Sequence, residues 1–434
     1  MMSHRFGVMR SRGRGRVAAV AAVVSVGLLL AGCGSTPAND GGGSASGGGG
    51  NAGKSEKCGE APIVAADFQG GSDAGMSADT KAQYSGYPGP IRVSPYATMK
   101  AKKGPWKIGF SSLASNSAFT DNLLTGLKDA FAKAKELGLV TGDLQLSIMP
   151  DASTQTPAAQ IAGFQSMVRG GVDGVVMLPL AADPLAPALT EAGKAGVPTV
   201  VMGNTNPSDY AISVNPLNIA KGTAETVKAI GGKGNIVVMR GLQGAAAETY
   251  GYKQIQAIID ACPDLKVVGT VNGNWNNATA KTAMQQFLVS HPGKIDGVLQ
   301  NGIMAQGVIQ AFEQVGRDVP SVSMVGAQAG DLSYFKDHLK DGYNTGGSAY
   351  NGKQQAWVAM RVLLNTLAGN GPKVTDIPIP VPVVTKENVA SFVPPGATLN
   401  SLGDPLGSPN DFGPQSYLNQ FFTTPDGPGS KLVE

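Results

Sequence analysis

The sequence predicts an α/β protein of two similar lobes, each built on a doubly wound parallel sheet. Three observations carry this expectation. From Trp106 onward, short apolar β-branched runs alternate with longer stretches of helical period, the signature of β-α-β units around a parallel sheet. The alternation reaches Asn215-Pro216 and then starts again, so the units fall into two sets of about four. The chain has 434 residues, 42% hydrophobic and 15% charged, which suffices for two or three domains with their own cores.

The N-terminal elements set the compartment. Five arginines (Arg5, Arg10, Arg12, Arg14 and Arg16) lead into an apolar run from Val17 to Leu30. That run is short for a membrane span and suits the apolar core of a signal peptide. It ends in Leu30-Ala31-Gly32-Cys33, small residues before a cysteine as in a bacterial lipobox. Residues 1–32 are therefore expected to be a lipoprotein signal peptide. Cys33 would become a lipidated N-terminus that holds the chain on the extracytoplasmic face of the cell membrane. From Gly34 to Gly53, nine of twenty residues are glycine, a composition that stays flexible, so residues 33–58 read as a tether. Two further cysteines, Cys58 and Cys262, allow one bridge in a disulfide-permissive compartment. The alternative is two unpaired thiols, with Cys262 ending a helix before Pro263.

Residues 59–104 mix Pro, Gly and Tyr clusters without period and read as an irregular extension. The first set of units then has strands at Trp106 to Ser112, Leu144 to Met149, Gly174 to Leu178, Pro198 to Met202 and Tyr210 to Val214. Its helices are Asn122 to Leu137, Pro157 to Arg169 and Pro184 to Ala195. The second set has strands at Asn235 to Met239, Lys266 to Val271, Gly297 to Gln300 and Val322 to Gly326. Its helices lie near Ala246 to Ala261, Thr279 to Ser290, Ile303 to Val315 and Asp331 to Lys340. A helix at Gln354 to Leu367 and an extended run from Ile377 to Thr385 follow. Residues 394–434, rich in Pro, Gly, Asn and Asp, read as a tail lying on the body or disordered.

Charge and motifs exclude several classes. Without the five leading arginines, 29 basic face 31 acidic residues, so nothing asks for nucleic acid. Two histidines, His291 and His338, follow residue 33, too few for a His-rich metal site or a compelling Ser-His-Asp order. Ser111 to Ser115 lacks the G-x-G-x-x-G of dinucleotide binding, and Gly232-Lys233-Gly234 precedes a strand, so it is a turn and not a phosphate loop. No cofactor is expected.

Several stretches in order carry a resemblance from Lys107 to about Asn388. They are Ile108-Gly109-Phe110 with Asn116-Ser117; Gly171-Val172-Asp173-Gly174-Val175-Val176; Ala195-Gly196-Val197-Pro198-Thr199-Val200; His291-Pro292 before Ile295-Asp296-Gly297-Val298; and Asn301 with Met304-Ala305 and Gly307. Together they resemble the ribose-type periplasmic sugar-binding proteins of ABC importers, with the periplasmic binding protein type 1 fold. The resemblance implies two lobes joined by three crossovers, near Asn215-Pro216, Ser348-Ala349 and Asp376-Ile377. Lobe 1 would be residues 105–215 with 349–376, and lobe 2 residues 216–348 with 377–393. It also implies a monomer that closes on one small molecule and presents the closed form to a membrane permease.

A neutral sugar or polyol needs convergent amides or hydroxyls and an aromatic plate. Positions that match the family's ligand contacts are Asn116, Phe119, Trp275, Asn301, Gln328 and Ser348, with Trp275 as the plate. The departures from the family are as informative. Gly203-Asn204 stands where ribose binders carry Asp-Arg, Glu248-Thr249 where they carry an arginine, and Gln328 where they carry an aspartate. Asn204 and Glu248 join the candidate contacts, and a site of neutral amides favours a neutral ligand, because an unpaired charge is expensive to bury. Two other readings keep the same architecture. One is a receptor that hands its ligand-bound form to a membrane kinase or chemoreceptor. The other is an enzyme, whose acids could be Glu248 or Asp183.

Overall fold

The computed structural model describes residues 57–433 except 88, 116, 151–154, 204–205, 218–219, 350, 409–410 and 412. The expected signal peptide, the tether up to residue 56 and Cys33 lie outside the described residues. In the N-terminal extension, β1 (Asp67–Phe68) and β2 (Pro90–Ile91) pair in parallel around α1 (Ala78–Ala82).

Lobe 1 runs β3 (Ile108–Ser112), α2 (Ala118–Glu136), β4 (Gln145–Ile148), α3 (Pro157–Arg169), β5 (Gly174–Leu178), α4 (Ala182–Lys194), β6 (Thr199–Met202) and β7 (Ala211–Asn215). Lobe 2 runs α5 (Ala220–Ala229), β8 (Gly234–Arg240), α6 (Ala246–Asp260), β9 (Leu265–Asn272), α7 (Asn277–Ser290), β10 (Gly297–Gln300), α8 (Ala305–Gln314), β11 (Ser321–Val322), α9 (Ala329–His338) and β12 (Gly347–Ser348). The chain returns to lobe 1 with α10 (Gly352–Leu367) and β13 (Asp376–Pro378), then pairs β14 (Val383–Val384) with β12, and ends beyond α11 (Gln415–Leu418).

The lobe 1 sheet has the order β13-β7-β6-β5-β3-β4 and the lobe 2 sheet β11-β10-β8-β9, with every pair parallel. In both lobes the first strand lies between the second and the third, so strand order reverses at β3/β5 and at β8/β10. β3, β5 and β6 are buried at every position, as central parallel strands covered by helices on both faces must be. Each lobe has its own apolar core, around Phe110, Leu127 and Leu363 in lobe 1 and around Met239, Phe312 and Phe335 in lobe 2. This is the expected doubly wound α/β architecture.

Four details differ from the sequence expectation. Helix α5 was not expected: its buried side is Ala, Gly and Thr with one valine, too small to print a helical stripe. The close approach explains those small residues, since a Cβ at Gly222 would stand 2.5 Å from the Gly347 carbonyl carbon. Helix α2 begins at Ala118, four residues before the expected Asn122, because Ser117 and Thr120 form a reciprocal capping box. The strand expected from Val322 to Gly326 is instead the pair Ser321–Val322, followed by a single bridge between Met324 and Gly347. The extended run near residue 377 divides between sheets, so the third crossing follows Pro378 rather than Asp376: β13 belongs to lobe 1 and β14 to lobe 2.

The two ends of the chain pack on the body. Tyr84, Ile91 and Tyr96 of the extension are buried in the lobe 1 core, together with Leu418, Phe421 and Phe422 of the tail. The extension is therefore not irregular throughout. Its aromatic residues, dispersed in sequence, meet only in the fold.

Candidate functional site

A cavity of about 190 Å³ opens between the lobes, walled by the loops that leave the carboxyl ends of their strands. From lobe 1 come Ser117 and Phe119 after β3, Leu178 to Leu180 after β5, and Gly203 after β6. From lobe 2 come Leu242 and Tyr250 after β8, Trp275 after β9, and Asn301 to Ile303 after β10. The first crossing, Asn215 to Leu217, forms part of the wall. Both points of strand-order reversal thus face one cavity, where open parallel sheets bind ligands. Its size lies below the ~300–1,000 Å³ of drug-sized sites, so it suits a small solute.

Trp275 is held firmly. Asn274 and Trp275 both have left-handed backbones, with φ of 54° and 55°, a conformation that costs non-glycine residues about 1–3 kcal/mol each. Asn276 then caps α7, its side-chain oxygen accepting from the Thr279 N–H at 3.0 Å. The indole Nε1 donates to the Asn301 carbonyl. Gly241 makes room for the ring, because a Cβ there would come within 2.3 Å of Nε1. Ile303, another wall residue, has φ of 45°, an outlier for a β-branched side chain. Three left-handed non-glycine residues therefore lie at or beside the lobe 2 wall.

Asn301 is buried within that wall. Its N–H donates to the Met239 carbonyl at 3.0 Å and its Nδ2 to the Glu248 carbonyl at 2.9 Å. Gly251 packs against the amide, since a Cβ there would be 2.2 Å from Oδ1. Phe119 sits at the second residue of α2 and lines the cavity from lobe 1.

Three other candidates have structural partners and are not among the described lining residues. Glu248 is 1% exposed, and its carboxylate takes both Arg240 Nε and Arg240 Nη2, the latter at 2.8 Å. The guanidinium carbon lies 3.5 Å from the centre of the Tyr252 ring, so the charge is matched within lobe 2 and does not face the cavity. Gln328 caps α9: its N–H donates to Asp331 Oδ2 at 2.9 Å and its Oε1 accepts from Asn277 Nδ2 at 2.9 Å. Burial raises the Asp331 carboxyl to about 7. Ser348 Oγ accepts from the Gly326 N–H at 3.1 Å and so braces the second crossing. Asn116 and Asn204 lie outside the described residues. Cys58 and Cys262 are joined by a disulfide.

Sequence reasoning missed Gln155, Asn215 and Tyr250, which also line the cavity. The Tyr250 hydroxyl donates to the Leu217 carbonyl at 2.7 Å, and Gln155 Oε1 accepts from the Ala114 N–H at 3.0 Å. No motif marks them, and their place in the wall depends on which loops the two lobes bring together. No charged side chain is among the described residues that line the cavity. No group of three metal-ligating side chains occurs among the described residues either.

Residues 108–371 match the profile of the periplasmic binding protein domain. A xylitol-binding protein of Mycolicibacterium smegmatis is 32% identical over 267 residues, 60% of this chain and 72% of that protein. A putative rhizopine-binding protein of Rhizobium meliloti is 27% identical, over 66% of this chain and 92% of its own. The crystal structure of an ABC transporter solute-binding protein from Thermobispora bispora superposes with a TM-score of 0.61 at 23% identity, covering 71% of this chain and 93% of that one. The chain belongs to the periplasmic binding protein domain family, whose members among these relatives are solute-binding proteins rather than enzymes.

Proposed function

We propose that this member of the periplasmic binding protein family captures a small neutral polyol or sugar between its lobes and delivers it to an ABC transporter permease. The observation that carries the reading is the cavity itself: both strand-order reversals open onto it, and its described walls hold no charged side chain. An ionic solute buried there would find no counter-charge among the described wall residues and would bear a large desolvation penalty. The similarity to a xylitol-binding protein supports an acyclic polyol as one candidate solute.

In this reading Trp275 and Phe119 cover the solute's C–H faces from opposite lobes, and Asn301 borders it from lobe 2. Asn116 and Asn204, candidate contacts from the sequence, would add further amides. Glu248, Gln328 and Ser348 act one layer further out, holding Asn301, α9 and the second crossing in place. Closure follows from contact with both lobes, because a solute that touches both favours the closed state by that extra contact. The lipobox at Leu30 to Cys33 supports anchoring by lipid on Cys33, which would keep the receptor beside its permease.

The test is thermal unfolding against a panel of polyols, pentoses, hexoses and deoxysugars, including xylitol. A solute at 100 times its dissociation constant adds about 2.7 kcal/mol of stability, so its shift stands out. Trp275→Ala is expected to abolish the shift. A panel with no responding neutral solute, or an undiminished shift in Trp275→Ala, contradicts the assignment.

A further inference from the structure

The segment from Cys58 to Tyr96 lies outside the family match at residues 108–371 and is fastened to both lobes. At one end Cys58 is bonded to Cys262, 204 positions away in lobe 2, and packs with Ala61 on that lobe's apolar cluster. At the other end Tyr84, Tyr87, Ile91 and Tyr96 are buried in the lobe 1 core. The Tyr84 hydroxyl donates to the Asp376 carbonyl at 2.6 Å, the Tyr87 hydroxyl to the Asp376 carboxylate, and the Tyr96 hydroxyl to the Tyr210 carbonyl at 2.7 Å. Asp376 belongs to β13, the strand that precedes the third crossing.

Little slack separates the two anchors. Ser85 Oγ donates to the Pro62 carbonyl at 3.1 Å, and the Val64 N–H donates to Ser85 Oγ at 2.9 Å. The Gly86 N–H donates to the Val64 carbonyl at 2.9 Å. The run between the disulfide and this lobe 1 anchorage is thus Cys58 to Pro62, four peptide units that reach at most about 14 Å when fully extended. At this anchorage the hydroxyl of Tyr250, a lobe 2 residue, lies 3.3 Å from the Ser85 carbonyl, and the same tyrosine lines the cavity.

We infer that residues 57–96 form a strap across the lobes that limits how far the cleft opens, with the Cys58–Cys262 bond as its lobe 2 anchor. The three crossings alone would let the lobes swing about a hinge. A further tie with four peptide units of slack removes the widest openings, and its contact with Tyr250 puts it in touch with the cavity wall. The unbound receptor then samples a narrower range, which lowers the cost of reaching the closed form.

The experiment is single-molecule energy transfer on the unliganded full-length chain, with hydroxylamine dyes condensed onto ketone-bearing p-acetylphenylalanine introduced in place of Glu136 in lobe 1 and Gln286 in lobe 2. It needs no solute, so it stands apart from the identity of the ligand. Reduction of the folded protein with a phosphine, and separately the double substitution Cys58→Ser with Cys262→Ser, are expected to broaden the distance distribution and shift its mean upward. If the double variant fails to fold, reduction of the folded chain decides the question. Superimposable distributions in oxidised and reduced protein overturn the strap. So does loss of the far-ultraviolet circular dichroism of the whole chain on reduction, since the bond would then serve global stability rather than range of motion.

Discussion

At the level of single residues, the cleft is organised by side chains whose partners are fixed before any solute arrives. Trp275 depends on the absence of a side chain at position 241, so Gly241→Ala is expected to displace the indole and cost about 1–3 kcal/mol through overpacking. Binding assays on that variant should show a loss comparable to Trp275→Ala. Unaltered binding would mean that the ring does not touch the solute. Glu248→Gln leaves Arg240 without its charge partner. Breaking a buried pair costs ~3–5 kcal/mol, and the 19% exposure of the Arg240 side chain brings the expected loss down to about 2 kcal/mol, read by denaturant unfolding. The residue scale also shows why Glu248 misled sequence reasoning. Its partner Arg240 ends a strand and looked unremarkable alone, and only the turn after β8 brings the two together.

Burial also fixes a pH response at Asp331. Its carboxyl is raised from 3.8 to about 7 by desolvation, so the folded chain holds this proton more tightly than the unfolded chain. The stability linked to that proton is fully present below pH 3.8 and is lost as the pH rises through about 7. Asp331→Asn has no such proton, so its melting temperature is expected to gain on that of the parent chain between pH 4 and pH 8. A difference independent of pH over that range contradicts this account of Asp331.

At the level of elements, the long periodic segments were legible and the small or dispersed ones were not. β5 is a continuous apolar run, β3 and β6 are short strands buried at every position, and α3 and α10 begin within three residues of their expected starts. Helix α5 escaped because close packing against Gly347 selected Ala, Gly and Thr over large apolar residues. The same logic operates between α2 and α10. A Cβ at Gly126 would stand 2.5 Å from the Lys353 Cα, so Gly126→Ala should force the helices apart and lower stability by about 1–3 kcal/mol. Unfolding at the parent's midpoint would show that this interface gives way freely. The tail was legible only as composition, since Leu418, Phe421 and Phe422 are separated by Pro, Gly and Asn from anything periodic. Phe421 is fully buried, and Phe421→Ala should cost about 3–5 kcal/mol. A cost below 1 kcal/mol would mean that the tail is not part of the lobe 1 core.

At the level of the whole molecule, two lobes whose first four strands share one order meet at their reversal points, and that placement makes the cleft. Periodicity revealed the two sets of units, and strand ends revealed the neighbourhood of Phe119, Trp275 and Asn301. It could not reveal Gln155, Asn215 or Tyr250, because their roles depend on which loops the second lobe faces. The described walls carry apolar side chains, amides and hydroxyls with no ion among them, and a cavity so lined is expected to select a neutral solute. Isothermal titration with neutral polyols and sugars, alongside their carboxylated and phosphorylated counterparts, tests it most directly. Saturable one-site heat is expected from a neutral compound and none from its charged counterparts. Saturable binding confined to a charged solute would contradict it.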